Sequence, residues 1–143
     1  MTKLVIVALL CGACAGSTTE SRKSTARPLY DRLGGKGAIA AVVEDFVGRV
    51  AKDPRINARF SNTDIPHLKQ MLTEQICEAS GGPCKYTGKD MKTSHAGLKI
   101  SDDEFNAMVE DLQAALTALH VATAEQRDLI GAIAPMKPDI VNQ

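Results

Sequence analysis

Tryptophan is absent from this 143-residue chain, and other aromatics are few: Tyr30, Tyr86, Phe46, Phe60 and Phe105. The interior must therefore be built from Val, Ile, Leu, Met and Ala. An excess of charge is also missing, since 17 acidic residues balance 17 basic ones. Neither sign clusters, which excludes nucleic acid as the main partner, because phosphate binding needs a basic face. Histidine occurs only at His67, His95 and His120, so any imidazole chemistry has a short set of candidates. No apolar run is long enough to span a bilayer; Leu4 to Leu10 falls well short. The alternation expected of strands is lacking as well. The apolar residues recur three and four apart, and the chain reads as all-α.

That run, Leu4 to Leu10, follows one basic residue, Lys3, and precedes the small residues ahead of Cys14. This pattern fits an export signal, and the small residues before Cys14 resemble a bacterial lipoprotein cleavage site. Cys11 stands where leucine is usual in such sites. Residues 1–14 are therefore expected to be an export or lipoprotein signal, with Cys14 as a possible lipid anchor. Residues 15–27, rich in Ser and Thr, read as a flexible linker. The protein is then expected in the periplasm or anchored to a membrane, and in the cytoplasm if the segment is not a signal. Cys77 and Cys84 remain in residues 28–143, the folded domain. An oxidising compartment permits them to pair, and their spacing does not require it.

Within that domain, Leu29 to Leu33 forms a short helical turn halted by Gly34-Gly35. A long helix follows from about Gly37 to Lys52, with Ile39, Val42, Val43, Phe46, Val47 and Val50 along one stripe. Asp53-Pro54 ends it. Ile56 and Phe60 are expected to turn inward from the connection. Asp64 caps a second long helix that has Pro66 in its first turn and ends at Gly81-Gly82. Its inward positions are Ile65, Leu68, Leu72, Gln75, Ile76 and Ala79, with Met71 at the margin. Ser101 and Glu104 form a capping box opening a third helix, whose apolar face is Phe105, Met108, Val109, Leu112, Leu116 and Leu119. Thr123 is expected to cap the last helix, which Pro135 and Pro138 interrupt.

The most informative segment runs from Gly81 to His95. A Gly-Gly stop closes a helix, a glycine-containing loop crosses over, and a short polar turn presents one histidine. An imidazole aimed inward from a short helix is a common axial ligand of haem iron.

Several pieces at fitting separations carry a family resemblance. They are Leu29-Tyr30-Asp31-Arg32-Leu33-Gly34-Gly35, Phe46, Asp53, Arg55-Ile56, Phe60, Gly81-Gly82, Tyr86-x-Gly88, Met91-x3-His95 and the tail Asp139 to Gln143. From about Leu29 to Gln143 the chain resembles the group I truncated haemoglobins, globin-like proteins with a truncated two-over-two helical sandwich. The resemblance implies haem b held by His95 as proximal ligand. Phe60 then wedges against the porphyrin face and Met91 packs on the proximal side. Phe46, Leu68, Leu72 and Tyr86 complete the cofactor surroundings. Among the lysines near the rim, Lys92 is the first choice to meet a propionate; the plainer reading is a solvated surface charge.

On the distal side the chain departs from the family. Val47 stands where familiar members have a tyrosine, and Leu68, Met71 and Leu72 occupy a wall where polar residues are frequent. Gln75 is the one polar side chain on that inward stripe, readable as a donor to bound gas or as a packing amide. Met71 reads as a core filler, with thioether ligation as the alternative. His67 points away by helical spacing, and a sixth-ligand role for it needs a helix shift. His120 reads as structural. The function implied is reversible binding of a diatomic gas, oxygen or else NO or CO, with an unidentified reductase as electron donor. The alternative is a haem enzyme for nitric oxide dioxygenation or peroxide chemistry.

Overall fold

The computed structural model describes residues 27–143. The expectations for the export signal, for Cys14 and for most of the linker lie outside the described residues. Helix α1 (Leu29–Arg32) leads through Gly34 and Gly35 into α2 (Gly35–Val50). Both glycines adopt a positive φ, +92° and +78°. That backbone is costly for other residues, so the chain turns here within two positions. The turn starts α2 slightly earlier than apolar spacing predicts. Its buried residues are the six of the predicted stripe, Ile39, Val42, Val43, Phe46, Val47 and Val50.

A 3-10 turn (Asn57–Phe60) connects to α3 (Ile65–Ala79). Asp64 accepts a hydrogen bond from the His67 N–H at 3.1 Å, and Pro66 occupies the first turn. The helix ends in a Schellman motif: Gly82 N–H donates to the Cys77 carbonyl at 2.8 Å and Gly81 N–H to that of Glu78 at 3.0 Å. Gly82 has no room for a side chain, because an added Cβ would stand 2.7 Å from the Cys77 carbonyl oxygen. Then come α4 (Met91–His95), α5 (Asp102–Ala118) and α6 (Thr123–Ile133), followed by a 3-10 segment (Ala134–Asp139) where the prolines end the α-helix. The capping box of Ser101 and Glu104 forms as predicted.

Helix α2 packs on both α3 and α5, α5 packs on α6, and α3 touches α6. This is the two-over-two sandwich, with one core running between the layers. Val43, Cys77, Leu116 and Leu129 are its most deeply buried large side chains. Arg32 ties α1 to α6 through Glu125 at 3.0 Å and Asp128 at 2.7 Å, with its side chain 8% exposed. Among the described residues the only strand-like pairing is a single bridge between Ile100 and Val141.

Two expectations are corrected. The cap of α6 is Ala122, with Thr123 already helical and no side-chain cap bond. Leu119 lies beyond the end of α5 and is 43% exposed. The helix stops one residue short of it, and His120 then takes a left-handed φ of +56° that turns the chain toward α6.

Candidate functional site

Helix α4 has five residues, too few to be stable alone, and its surroundings hold it. Asp90 caps it, accepting from the Thr93 N–H at 2.8 Å and the Thr93 hydroxyl at 2.7 Å. Those two bonds hold the Asp90 carboxyl below the usual carboxylate range. Upstream, the loop is fastened to α3 by a disulfide and by side-chain hydrogen bonds. Cys77 and Cys84 form a disulfide, so the pairing left open by spacing is made. Glu74 accepts from the Thr87 hydroxyl at 2.8 Å and the Thr87 N–H at 3.2 Å. Bonds from Gln70 and Thr87 lower the Glu74 pKa. Tyr86 closes the loop internally, its hydroxyl donating to the Lys89 carbonyl at 2.8 Å. Burial raises the pKa of that phenol.

His95 is half-buried at the end of α4, with Nδ1 2.8 Å from the Met91 carbonyl oxygen. A carbonyl only accepts, so Nδ1 carries the proton. In the neutral ring Nε2 then keeps its lone pair free, the arrangement that a metal-ligating imidazole uses. Among the described residues no three His, Cys, Asp or Glu side chains converge, so the donor set does not suit a bare metal ion. A single imidazole on a helix tied to α3 through Met91 and Gln75 suits haem. Phe60, Leu68 and Leu72 pack on the core yet remain half-exposed, so they offer apolar surface to a flat hydrophobic cofactor.

A family model described as bacterial-like globin matches residues 28–142. The chain belongs to this family. The globin is 39% identical over 119 residues to a group 1 truncated hemoglobin, GlbN of Mycolicibacterium paratuberculosis, covering 83% of this chain and 88% of that protein. It is 32% identical to the group 1 truncated hemoglobin of Tetrahymena pyriformis, over 80% of this chain and 95% of that one. A crystal structure of the Tetrahymena pyriformis protein in its Fe(III) form superposes with a TM-score of 0.79, covering 82% of this chain and all of that one. The 2/2 hemoglobin of Synechococcus, solved in the cyanomet state with covalently attached heme, gives 0.76 at 29% identity, with the same 82% of this chain and all of that one.

In this globin the other candidate residues divide clearly. Val47 and Phe46 are buried in α2, at 5% and 6% exposure. Met71 is half-buried on α3, facing the loop, where the Thr87 hydroxyl stands 4.0 Å from its sulfur. Gln75 is brought to the His95 turn: its amide donates to the Met91 sulfur at 3.2 Å and reaches that of Met136 at 3.5 Å. Lys92 is exposed on the first turn of α4. His67 and His120 are both exposed. Sequence reasoning missed Glu74 and Arg59. Arg59 donates to Glu104 and to the Leu98 carbonyl. The one local signal for Arg59 is its place next to Phe60.

Proposed function

We propose that this globin binds one haem b at His95 and reversibly takes a diatomic gas on the opposite face. Bound haem supplies an iron centre that accepts oxygen, NO or CO. The observation that carries the reading is the hydrogen bond from His95 Nδ1–H to the Met91 carbonyl, which orients the ring and leaves Nε2 as the ligand. Phe60, Phe46, Leu68, Leu72, Met91 and Tyr86 are the surrounding residues, and Lys92 is the cation assigned to a propionate. Val47, Leu68, Met71 and Leu72 form the distal wall. None of them is a strong donor, so the bound gas gains no hydrogen bond from them. This favours CO and NO relative to oxygen, which depends more on a donor. Peroxide chemistry needs an acid or base beside the iron, and the distal assignment holds none. Titration with hemin tests the reading. One equivalent gives a Soret band and a carbonmonoxy form after reduction, and a chain that stays colourless refutes it.

We also read residues 1–14 as an export signal with a lipid anchor at Cys14, and a reductase as the partner that keeps the iron ferrous. The short apolar run ahead of Cys14 supports export. The Cys77–Cys84 disulfide fits the same oxidising compartment. Cell fractionation of wild type and Cys14→Ser decides this. Loss of membrane association in the variant supports the anchor, and an unchanged distribution refutes it.

A further inference from the structure

We propose that Arg59 is a positioning residue for His95, a strap that fixes the exit of α4 and so the orientation of the imidazole. The inference rests on His95 as the proximal ligand. The Arg59 guanidinium makes three bonds to two places. Nε donates to Glu104 Oε1 at 2.7 Å and Nη2 to Glu104 Oε2 at 2.9 Å. Nη1 donates to the Leu98 carbonyl at 2.9 Å. The Leu98 N–H in turn donates to the His95 carbonyl at 3.0 Å. Glu104 is itself held, because its Oε2 accepts the Ser101 N–H at 2.9 Å in the capping box of α5. One side chain, next to Phe60 in sequence, thereby joins the turn carrying Phe60, the peptide just past His95 and the start of α5.

Helix α4 needs such a strap. Its entry is fixed by Asp90, but at its exit Ala96 leaves helical geometry (ψ 125°) and Gly97 takes a φ of +79°. On that side the turn closed by Leu98 and His95 is the nearest restraint. The tail pairs one and two residues further on, through Lys99 N–H to the Gln143 carbonyl at 3.0 Å and Asn142 N–H to the Ile100 carbonyl at 2.9 Å. Arg59 holds the Leu98 carbonyl between them. Only a planar fork can grip a carboxylate with two nitrogens while a third reaches a carbonyl; an ammonium is a point charge. The pair is partly exposed, 40% for Arg59 and 20% for Glu104, so its effect on global stability is small. Its effect is on where the imidazole points.

The test uses the full chain with Arg59→Lys and Arg59→Ala. Three quantities are measured: the iron–histidine stretch of the ferrous, unliganded form by resonance Raman, haem loss to an acceptor protein, and amide exchange at Leu98 in the haem-free protein. Arg59→Lys keeps the charge and the fold, so its melting temperature stays within a few degrees. Both variants are expected to shift or split the stretch and to lose haem about tenfold faster, the usual scale for removing support behind a ligand. Leu98 is expected to exchange about tenfold faster in both. An unchanged stretch and haem-loss rate in chains that bind haem normally overturn the positioning role. Unchanged exchange at Leu98 overturns the strap with or without haem. If wild type binds no haem, the reading of His95 fails, and the exchange measurement still decides whether the strap exists.

Discussion

The Nδ1 atom of His95 stands 2.8 Å from the carbonyl oxygen of Met91, one helical turn earlier. This contact fixes the tautomer of the free protein. Nitrogen NMR of the haem-free chain is expected to find neutral His95 protonated at Nδ1, although unconstrained imidazoles favour the other nitrogen. Protonation at Nε2 would show that the contact does not hold the ring.

The proposed distal wall of Val47, Leu68, Met71 and Leu72 holds no strong donor, and Gln75 turns its amide to Met91 and Met136. Gln75→Leu is therefore expected to leave the oxygen off-rate within about twofold. Leu68→Gln adds an amide to the wall. A hydrogen bond to a charged partner is worth about 1.5–3 kcal/mol, so oxygen dissociation slows by roughly tenfold to a hundredfold. Stopped-flow replacement of oxygen by CO reads both variants. A large change in Gln75→Leu would restore Gln75 as the donor.

Cys77 and Cys84 close a short loop around the end of α3. For a loop this small, chain entropy gives the cross-link about 2–3 kcal/mol. Cys84→Ser is expected to lower unfolding stability by that amount in urea, and reductant is expected to lower wild type similarly. Equal stability with and without reductant would show that the bond does not form in solution.

The Arg59 guanidinium and the Ser101 bonds hold the Glu104 carboxyl down at about 2, below its ordinary value near 4.3. A lowered carboxyl pKa means the unfolded chain binds the proton more readily. The contribution is thus complete above the unfolded value and is lost as pH falls toward about 2. Urea unfolding from pH 7 to pH 2 checks this. Glu104→Gln is expected to flatten the acid decline slightly, since the pair is partly exposed, and an identical profile would contradict the assignment.

The sequence disclosed most of the scaffold because the scaffold is local. The six buried residues of α2 follow from three-and-four spacing, and the caps Asp64, Gly81-Gly82 and Ser101 with Glu104 follow from short-range hydrogen bonding. Thr123 and Leu119 misled because a helix end depends on where packing stops, and periodicity runs past that point. The His95 turn was legible through glycine placement and the spacing from Met91. Its restraints were not. Arg59 meets Glu104 across 45 residues and Leu98 across 39, and nothing in the spacing of those residues announces the meeting. Helical spacing marks Gln75 as an inward amide, yet whether it faces gas or a thioether is a question of tertiary geometry. The cysteine pair was open for the same reason.

The central claim is that one nitrogen of His95 holds the haem iron. The direct measurement is the ferrous and carbonmonoxy absorption of wild type beside His95→Gly, each with and without added imidazole. Wild type is expected to show a five-coordinate histidine spectrum and a sharp carbonmonoxy Soret band. His95→Gly is expected to lose both and recover them when imidazole is supplied. A variant whose spectra match wild type without imidazole would contradict the account.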